Sequence, residues 1–237
     1  RSGANRLLGG AGNDEIRLES RDEGIADGGD GDDTLVGGHG RDSLFGGAGD
    51  DLIKVVAHTV GPLYFNYYAV TVDGGDGNDT ITSDIGSESY ASVALSGGAG
   101  NDVFAFSSPF TSSTVEIKDF HTGDLIDLRG LLPSGTSGNP FGDAGWLRAF
   151  EDGSDTIIWL DRDGAAGALH AFEALITLSE VDLASLSAAD FAGGFDPHAM
   201  PAGVVLTGTG GDDVLSGGDY RDRIDGGGGG DRRIGGY

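Results

Sequence analysis

Cysteine is absent from the chain, which excludes a disulfide framework and any thiolate metal site. Basic residues are scarce. Fourteen Lys and Arg stand against 39 Asp and Glu, the formal net charge is -25, and only Lys54 and Lys118 are lysines. Nucleic-acid phosphates and anionic membrane surfaces would be repelled by such a chain, so neither is expected as a partner. No apolar run approaches the roughly 18 residues of a spanning helix, and no membrane insertion is expected. Catalytic signatures are missing too. There is no H-E-x-x-H zinc helix, no G-x-S-x-G elbow and no phosphate loop with lysine. The five histidines, His39, His58, His121, His170 and His198, are scattered. "DRDGAAG", with Asp161 and Asp163, opens like an EF-hand loop but lacks its later ligands, and reads as a surface hairpin. No active site is expected in this chain.

What is abundant is glycine and aspartate. The chain has 46 glycines, and 31 of its 39 acids are Asp. Aspartate is a turn former and a hard oxygen ligand, so a divalent cation is the natural counterion. The two residue types recur at a period of nine, as G-G-x-G-x-D-x-U-x with U a large apolar residue. The pattern starts at Gly9, Gly28, Gly37, Gly46, Gly74 and Gly97, and again, less perfectly, at Gly208 and Gly217. "GGGGGDRRI" at Gly226 is slipped by one, and "LESRDEGIAD" (18–27) fills a gap of about one unit without the glycines.

Each unit reads as a tight turn, permitted by its glycines, followed by a three-residue strand whose middle side chain points inward. Two units close one coil, and stacked coils form parallel sheets with Ile16, Leu35, Leu44, Ile53, Ile81 and Phe104 as inward rungs. The inserts 55–73 and 83–96 each replace one half-coil. Phase then places the units at 9, 28, 46, 74 and 97 on one side. The expected calcium ladder runs through Asp14, Asp33, Asp51, Asp79 and Asp102. The opposite side is expected to be poor, with Asp42 its best ligand. Asp213 and Asp222 are the candidates in the second block. Carbonyl ligands are expected from the first and third places of the ladder units: Gly9, Ala11, Gly28, Asp30, Gly46, Ala48, Gly74, Asp76, Gly97 and Ala99. A cage of carboxylate and carbonyl oxygens suits calcium, and several ions, roughly 4–8, are expected.

These repeats resemble those of the repeats-in-toxin (RTX) family, calcium-binding β-rolls of proteins exported by bacterial type I secretion. The stretch after the roll, with "GGAGNDVFAF", "IKDFHTGDLIDLRGLL", "FGDAGWLRAF" and "LSAADF", resembles the C-terminal region of serralysin-type metalloproteases, in which a twisted sheet caps the open end of the roll. Strands are predicted at "VFAF", "TVEI", "GWLRAF", "DTIIWL" and "HAFEALITL", and a helical turn at "SAADF" with Ser187 as its N-cap. The fold expected is all-β: a parallel β-roll over 1–105, a β-rich twisted sheet or sandwich cap over 106–195, a linker over 196–203 and the start of a second β-roll block over 204–237. The chain opens "RSGANRLLGG" without an initiator Met or apolar leader and ends within a repeat, as a processed piece of a longer protein would. Asp196-Pro197 reads as a linker turn, although some RTX proteins cleave themselves at such a bond.

The resemblance implies a secreted, extracellular or cell-surface module that folds on meeting calcium, with the type I secretion machinery as a partner. The tyrosine-rich insert "GPLYFNYY" (61–68) and the second repeat block point to a structural or adhesive role with self-association or cell-surface contact. The protease-like cap points instead to the carrier domain of a secreted metalloprotease, lipase or alginate-epimerase-like enzyme.

Overall fold

The structure, a computed structural model, describes residues 5–19, 23–57, 67–85, 90–107, 113–142, 145–164, 172–199, 202–216 and 221–234. His58, His170 and residues 61–66 of the tyrosine-rich insert lie outside them.

The strands follow in chain order: β1 (Asn5–Ala11), β2 (Glu15–Arg17), β3 (Gly24–Asp30), β4 (Thr34–Val36), β5 (Asp42–Ala48), β6 (Leu52–Ala57), β7 (Tyr67–Asp76), β8 (Thr80–Ile85), β9 (Tyr90–Ala99), β10 (Val103–Phe106), β11 (Thr114–Ile117) and β12 (Leu125–Asp127). Beyond them lie β13 (Leu147–Asp152), β14 (Asp155–Leu160), β15 (Glu173–Leu178), β16 (Ala202–Thr207), β17 (Val214–Ser216), β18 (Arg221–Asp225) and β19 (Arg232–Ile234). Helical structure among the described residues is confined to three short 3₁₀ turns. No helix among them is long and apolar enough to cross a membrane.

From β1 to β12 the chain alternates between two sheets. Odd strands form one, in the order β1-β3-β5-β7-β9-β11, and even strands the other, β12-β10-β8-β6-β4-β2. Each strand pairs in parallel with the strand one coil away. This is a parallel β-solenoid. Its interior is two facing columns of apolar side chains in register. Ile16, Leu35, Ile53, Ile81, Phe104 and Ile126 line one sheet. Ala26, Leu44, Val72, Leu95 and Ile117 line the other. All eleven are buried. Ala26, in β3, fills the inward rung that the period assigns to the glycine-poor stretch 18–27. The two inserts open and close on strands, β6 to β7 and β8 to β9, and leave the alternation intact.

Residue 105, the last of the expected roll, lies inside β10, and parallel pairing continues through β11 and β12 to Asp127. Coil stacking requires only backbone pairing and an inward apolar residue, so it outlasts the glycine pattern. The odd sheet then takes up β15 in parallel and β14 and β13 in antiparallel fashion. At the other sheet's last edge, Ile126 bridges to Phe191 and its carbonyl accepts from Ala192 N–H. Both sheets are thus continued or covered at this end, which removes a template for edge-to-edge association. The predicted turn at "SAADF" is a 3₁₀ turn over Ala188–Asp190, closed by a capping box between Ser187 and Asp190. In the second block β16 pairs with β18 and β17 with β19, all parallel, as two further stacked coils. The first residues of β16 fall within the stretch read as linker.

Candidate metal centre

The sixth-place aspartates form a column along one side of the roll, linked by one repeated bond. The backbone N–H of Asp14 donates to Asp33 Oδ1 (2.6 Å), that of Asp33 to Asp51 Oδ1 (2.7 Å), that of Asp51 to Asp79 Oδ1 (2.8 Å) and that of Asp79 to Asp102 Oδ1 (2.8 Å). Asp102 N–H continues to Asp124 Oδ1 (3.0 Å). The second oxygen of each carboxylate is different. Oδ2 of Asp14, Asp33, Asp51, Asp79 and Asp102 is buried with no hydrogen-bond partner. Five ionisable oxygens in one column with nothing to neutralise them would be costly to bury.

The glycines show where those oxygens point. A Cβ placed on Gly46 would lie 2.2 Å from Asp51 Oδ2 and 2.3 Å from the carbonyl oxygen of Gly74, one coil on. The same pair, the unit's own Oδ2 and the next coil's first-place carbonyl, closes over Gly9, Gly28 and Gly74. The sheet register skips these glycines, running from Leu8↔Asp27 to Gly10↔Gly29 and from Asp27↔Phe45 to Gly29↔Gly47. Each first-place carbonyl is therefore brought beside an unsatisfied carboxylate. The second glycine of each unit serves the stacking of the turns instead. Gly47 holds φ at +118°, and a Cβ there would lie 2.1 Å from Gly29 O. Gly46→Ala is therefore expected to weaken the calcium-loaded fold by about 1–3 kcal/mol, on the scale of an overpacked core, read as a fall in thermal midpoint at saturating calcium.

Burial, reinforced by neighbouring carboxylates, shifts the column's acidities. The Asp51 carboxyl is raised to about 6, first by burial and then by Asp33, Asp32 and Asp50. Asp79 is raised to about 7, again first by burial and then by Asp51, Asp102 and Asp50. Asp102 is raised by burial and by Asp124. A cation held between such groups would favour their ionised form and draw these pKa values back down.

A family model for the RTX calcium-binding nonapeptide repeat, in four copies, matches residues 1–19, 25–53, 67–87, 94–106 and 207–236. The chain carries RTX calcium-binding nonapeptide repeats. No curated protein sequence matches it. Among solved structures, the chain is similar to extracellular lipase LipA from Serratia marcescens, with 17% identity and a TM-score of 0.30, over 81% of this chain and 40% of the lipase. It is also similar to the AlgE6R3 subunit of the Azotobacter vinelandii mannuronan C5-epimerase, with 25% identity and a TM-score of 0.34, over 78% of this chain and 80% of that one. The chain spans about 40% of the lipase's length.

RTX nonapeptide repeats bind calcium, and the column fits that ion. Its free donors are hard oxygens, carboxylate and carbonyl, and calcium takes six to eight of these. The expected third-place carbonyls are placed otherwise than the first-place ones. Those of Asp30, Ala48, Asp76 and Ala99 accept the N–H groups of Gly12, Gly31, Gly49 and Gly77 (2.7–2.8 Å), keeping one lone pair each. Ala11 has no preceding described coil to bond. Asp42, on the opposite side, is turned onto its own loop, accepting from Gly38 N–H at 2.8 Å. Burial raises its pKa.

In the second block the roles shift. Asp213 N–H donates to Asp231 Oδ1 (3.2 Å), and a Cβ on Gly208 would lie 2.2 Å from Gly226 O and 2.7 Å from Asp213 Oδ2. The unit at 226 is thus in register at its aspartate, and only its apolar residue is displaced, with Arg233 opposite Leu215. Thr209 replaces the second glycine, and its N–H occupies Asp213 Oδ2 at 2.6 Å. The side chain of Asp222 lies outside the described residues; its backbone belongs to β18, in the other sheet.

Two features are absent from the period-based reading. Asp124 closes the column from a turn, "HTGD", that has no paired glycines. The fifth-place residues form a second ladder running the opposite way. Asp32 N–H donates to Asn13 Oδ1 (3.1 Å), Asp50 N–H to Asp32 Oδ1 (3.0 Å), Asn78 N–H to Asp50 Oδ1 (2.7 Å) and Asn101 N–H to Asn78 Oδ1 (3.0 Å). The signal was available as the unbroken run of Asn or Asp at that place.

Proposed function

We propose that this chain is a calcium-gated folding module of a secreted bacterial RTX protein, exported unfolded by type I secretion and folded outside the cell, with a structural rather than catalytic role. The observation that carries the reading is the column of five buried, unpartnered Oδ2 atoms, each beside a carbonyl of an adjacent turn or another carboxylate. Asp14, Asp33, Asp51, Asp79 and Asp102 would hold the ions, with the first-place carbonyls of Gly28, Gly46, Gly74 and Gly97. Calcium supplies the positive charge that lets these carboxylates lie together in a dry column.

Without that charge, a chain of net charge -25 with 46 glycines has strong self-repulsion and a large ordering entropy. Extracellular modules bind calcium with Kd of about 10⁻⁴–10⁻³ M, far above cytosolic levels. At free calcium ten times Kd each cage stabilises the fold by about 1.4 kcal/mol, and five cages by about 7 kcal/mol, comparable to the whole stability of a domain. The sheet formed by β13, β14 and β15 favours a second reading of the parent protein, in which this chain is the carrier domain of a secreted enzyme. The module's mechanism is the same in both.

Circular dichroism during calcium titration of an EDTA-stripped sample tests the gate, with magnesium as control. The expected result is a cooperative coil-to-β transition near millimolar calcium that magnesium does not produce. β-structure already complete in EDTA would overturn it.

A further inference from the structure

The cap takes the roll's own parallel edge out of reach, and the odd sheet then ends on an antiparallel strand. That strand is β13, and no described strand pairs with its far side. Asp152 and Asp155 close a two-residue turn, Gly153-Ser154, and so form a hydrogen-bonded pair. Bonding alternates along an antiparallel ladder. Phe150 and Arg148 therefore also bond toward β14, while Leu147, Ala149 and Glu151 turn their N–H and C=O groups outward. Leu147 agrees with this phase, since its N–H donates away from β14, to Pro140 O at 3.0 Å. The N–H groups of Ala149 and Glu151 have no such partner among the described residues. Between them Phe150 stands on the outer face, 45% exposed, its ring edge-on to Trp159 with centroids 5.8 Å apart.

We propose that this edge is a contact between two copies of the chain, joined through antiparallel β13 strands about a two-fold axis at Phe150. Residues paired across strands share a face, so such an axis must pass through a residue. Centred on Ala149, the pairing would call on the Leu147 N–H, which Pro140 already occupies. Centred on Glu151, it would set like charges directly opposite, which is destabilising. Centred on Phe150, it lets Ala149 and Glu151 exchange backbone bonds with Glu151 and Ala149 of the second copy. Phe150 then faces Phe150 of the second copy, and Arg148, which lies 4.0 Å over the Phe172 ring, comes opposite its Asp152. Aromatic pairs and opposite charges across strands both favour the contact. The strand has six residues and each copy carries a net charge of -25, so the dimer is weak and transient.

The chain has no cysteine, so one substitution introduces its only thiol. In saturating calcium and moderate salt, which screens the net charge, Phe150→Cys is expected to form a disulfide-linked dimer with oxidised glutathione at least about tenfold faster than Glu151→Cys. Facing residues of a non-hydrogen-bonded pair lie about 4.5 Å apart at Cα, within the span of a disulfide. Glu151 and its copy, each one residue off the axis, lie more than about 7 Å apart, beyond that span. Ala149→Pro, added to Phe150→Cys, removes an outward N–H and leaves the β14 ladder intact. It is expected to slow the cross-link to the Glu151→Cys rate, with calcium-induced dichroism checking that the variant folds. Equal cross-linking of Phe150→Cys and Glu151→Cys would overturn the interface. So would a fast cross-link that Ala149→Pro leaves unchanged in a folded chain, because the contact would then not run through the strand edge. Both comparisons are made on calcium-loaded chain, so their failure is distinct from a failure of the calcium gate.

Discussion

Asp51→Ala raises the calcium midpoint of folding about tenfold, whereas Asp50→Ala, one residue away, changes it less than about threefold. These are the results expected in calcium titrations followed by circular dichroism, and the difference comes from where each carboxylate sits. Asp51 is buried, accepts the N–H of Asp33 and presents its Oδ2 beside the Gly74 carbonyl. Its loss strips a charged ligand from the column and leaves a buried N–H unsatisfied, which by itself costs about 1–3 kcal/mol. Asp50 faces solvent, and its hydrogen bonds to the N–H and amide of Asn78 are exposed. Water replaces them, at a cost of about 1 kcal/mol or less. Equal shifts in the two variants would mean that both ladders bind the ion and that the sixth-place assignment is wrong.

The contrast also marks how far the sequence could be read. Period and phase carry Asp14, Asp33, Asp51, Asp79 and Asp102 directly, because a turn that must stack between two others needs all its glycines at once. A Cβ at Gly46 collides with both the carboxylate below and the carbonyl above. Asp124 escapes the pattern because the last turn has no further roll unit stacked on it. Only an acceptor for Asp102 N–H is needed there, and Gly123 at the fifth place leaves room for the amide of Asn101. Asp231 is hidden for a different reason. Its unit keeps the aspartate in register while Arg233 takes the apolar place, so a reading that weights the inward residue shifts the unit by one. The continuation of the sheets to Asp127 was illegible from repeats alone, since β11 and β12 stack through backbone pairing and the buried Val115, Ile117 and Ile126.

The same stacking explains the gate. Parallel strands lie about 4.8 Å apart, so successive sixth-place carboxylates are held near that spacing. Two unit charges at this distance repel by about 3.5 kcal/mol at an effective dielectric constant of 20. The apolar columns hold the coils together while the acidic column pushes them apart, and a cation between turns reverses the sign of the second effect. Protons can do the same in part, because they remove the charge instead of neutralising it from outside.

Acidification should therefore fold the calcium-free chain. Asp79 and Asp51 have folded-state pKa values of about 7 and about 6, both above the ordinary carboxylate value that the unfolded chain keeps. Between that ordinary value and pH 7 the folded roll binds more protons than the unfolded chain, so its stability falls as pH rises through this window. From pH 8 to pH 5, in EDTA, the ratio of folded to unfolded chain is expected to rise by about a hundredfold or more, seen as a gain of β-sheet ellipticity without any metal. Asp79→Asn, which places a neutral amide where the carboxylate sits, should flatten this response and raise β content in EDTA at pH 8. In saturating calcium the same variant should be less stable than wild type, because a charged ligand is gone. The two effects have opposite signs, and each can be measured on one sample by thermal melts with and without calcium. A wild-type chain whose calcium-free ellipticity is flat between pH 8 and pH 5 would show that the column's charge does not oppose folding, and that the gate lies elsewhere in the roll.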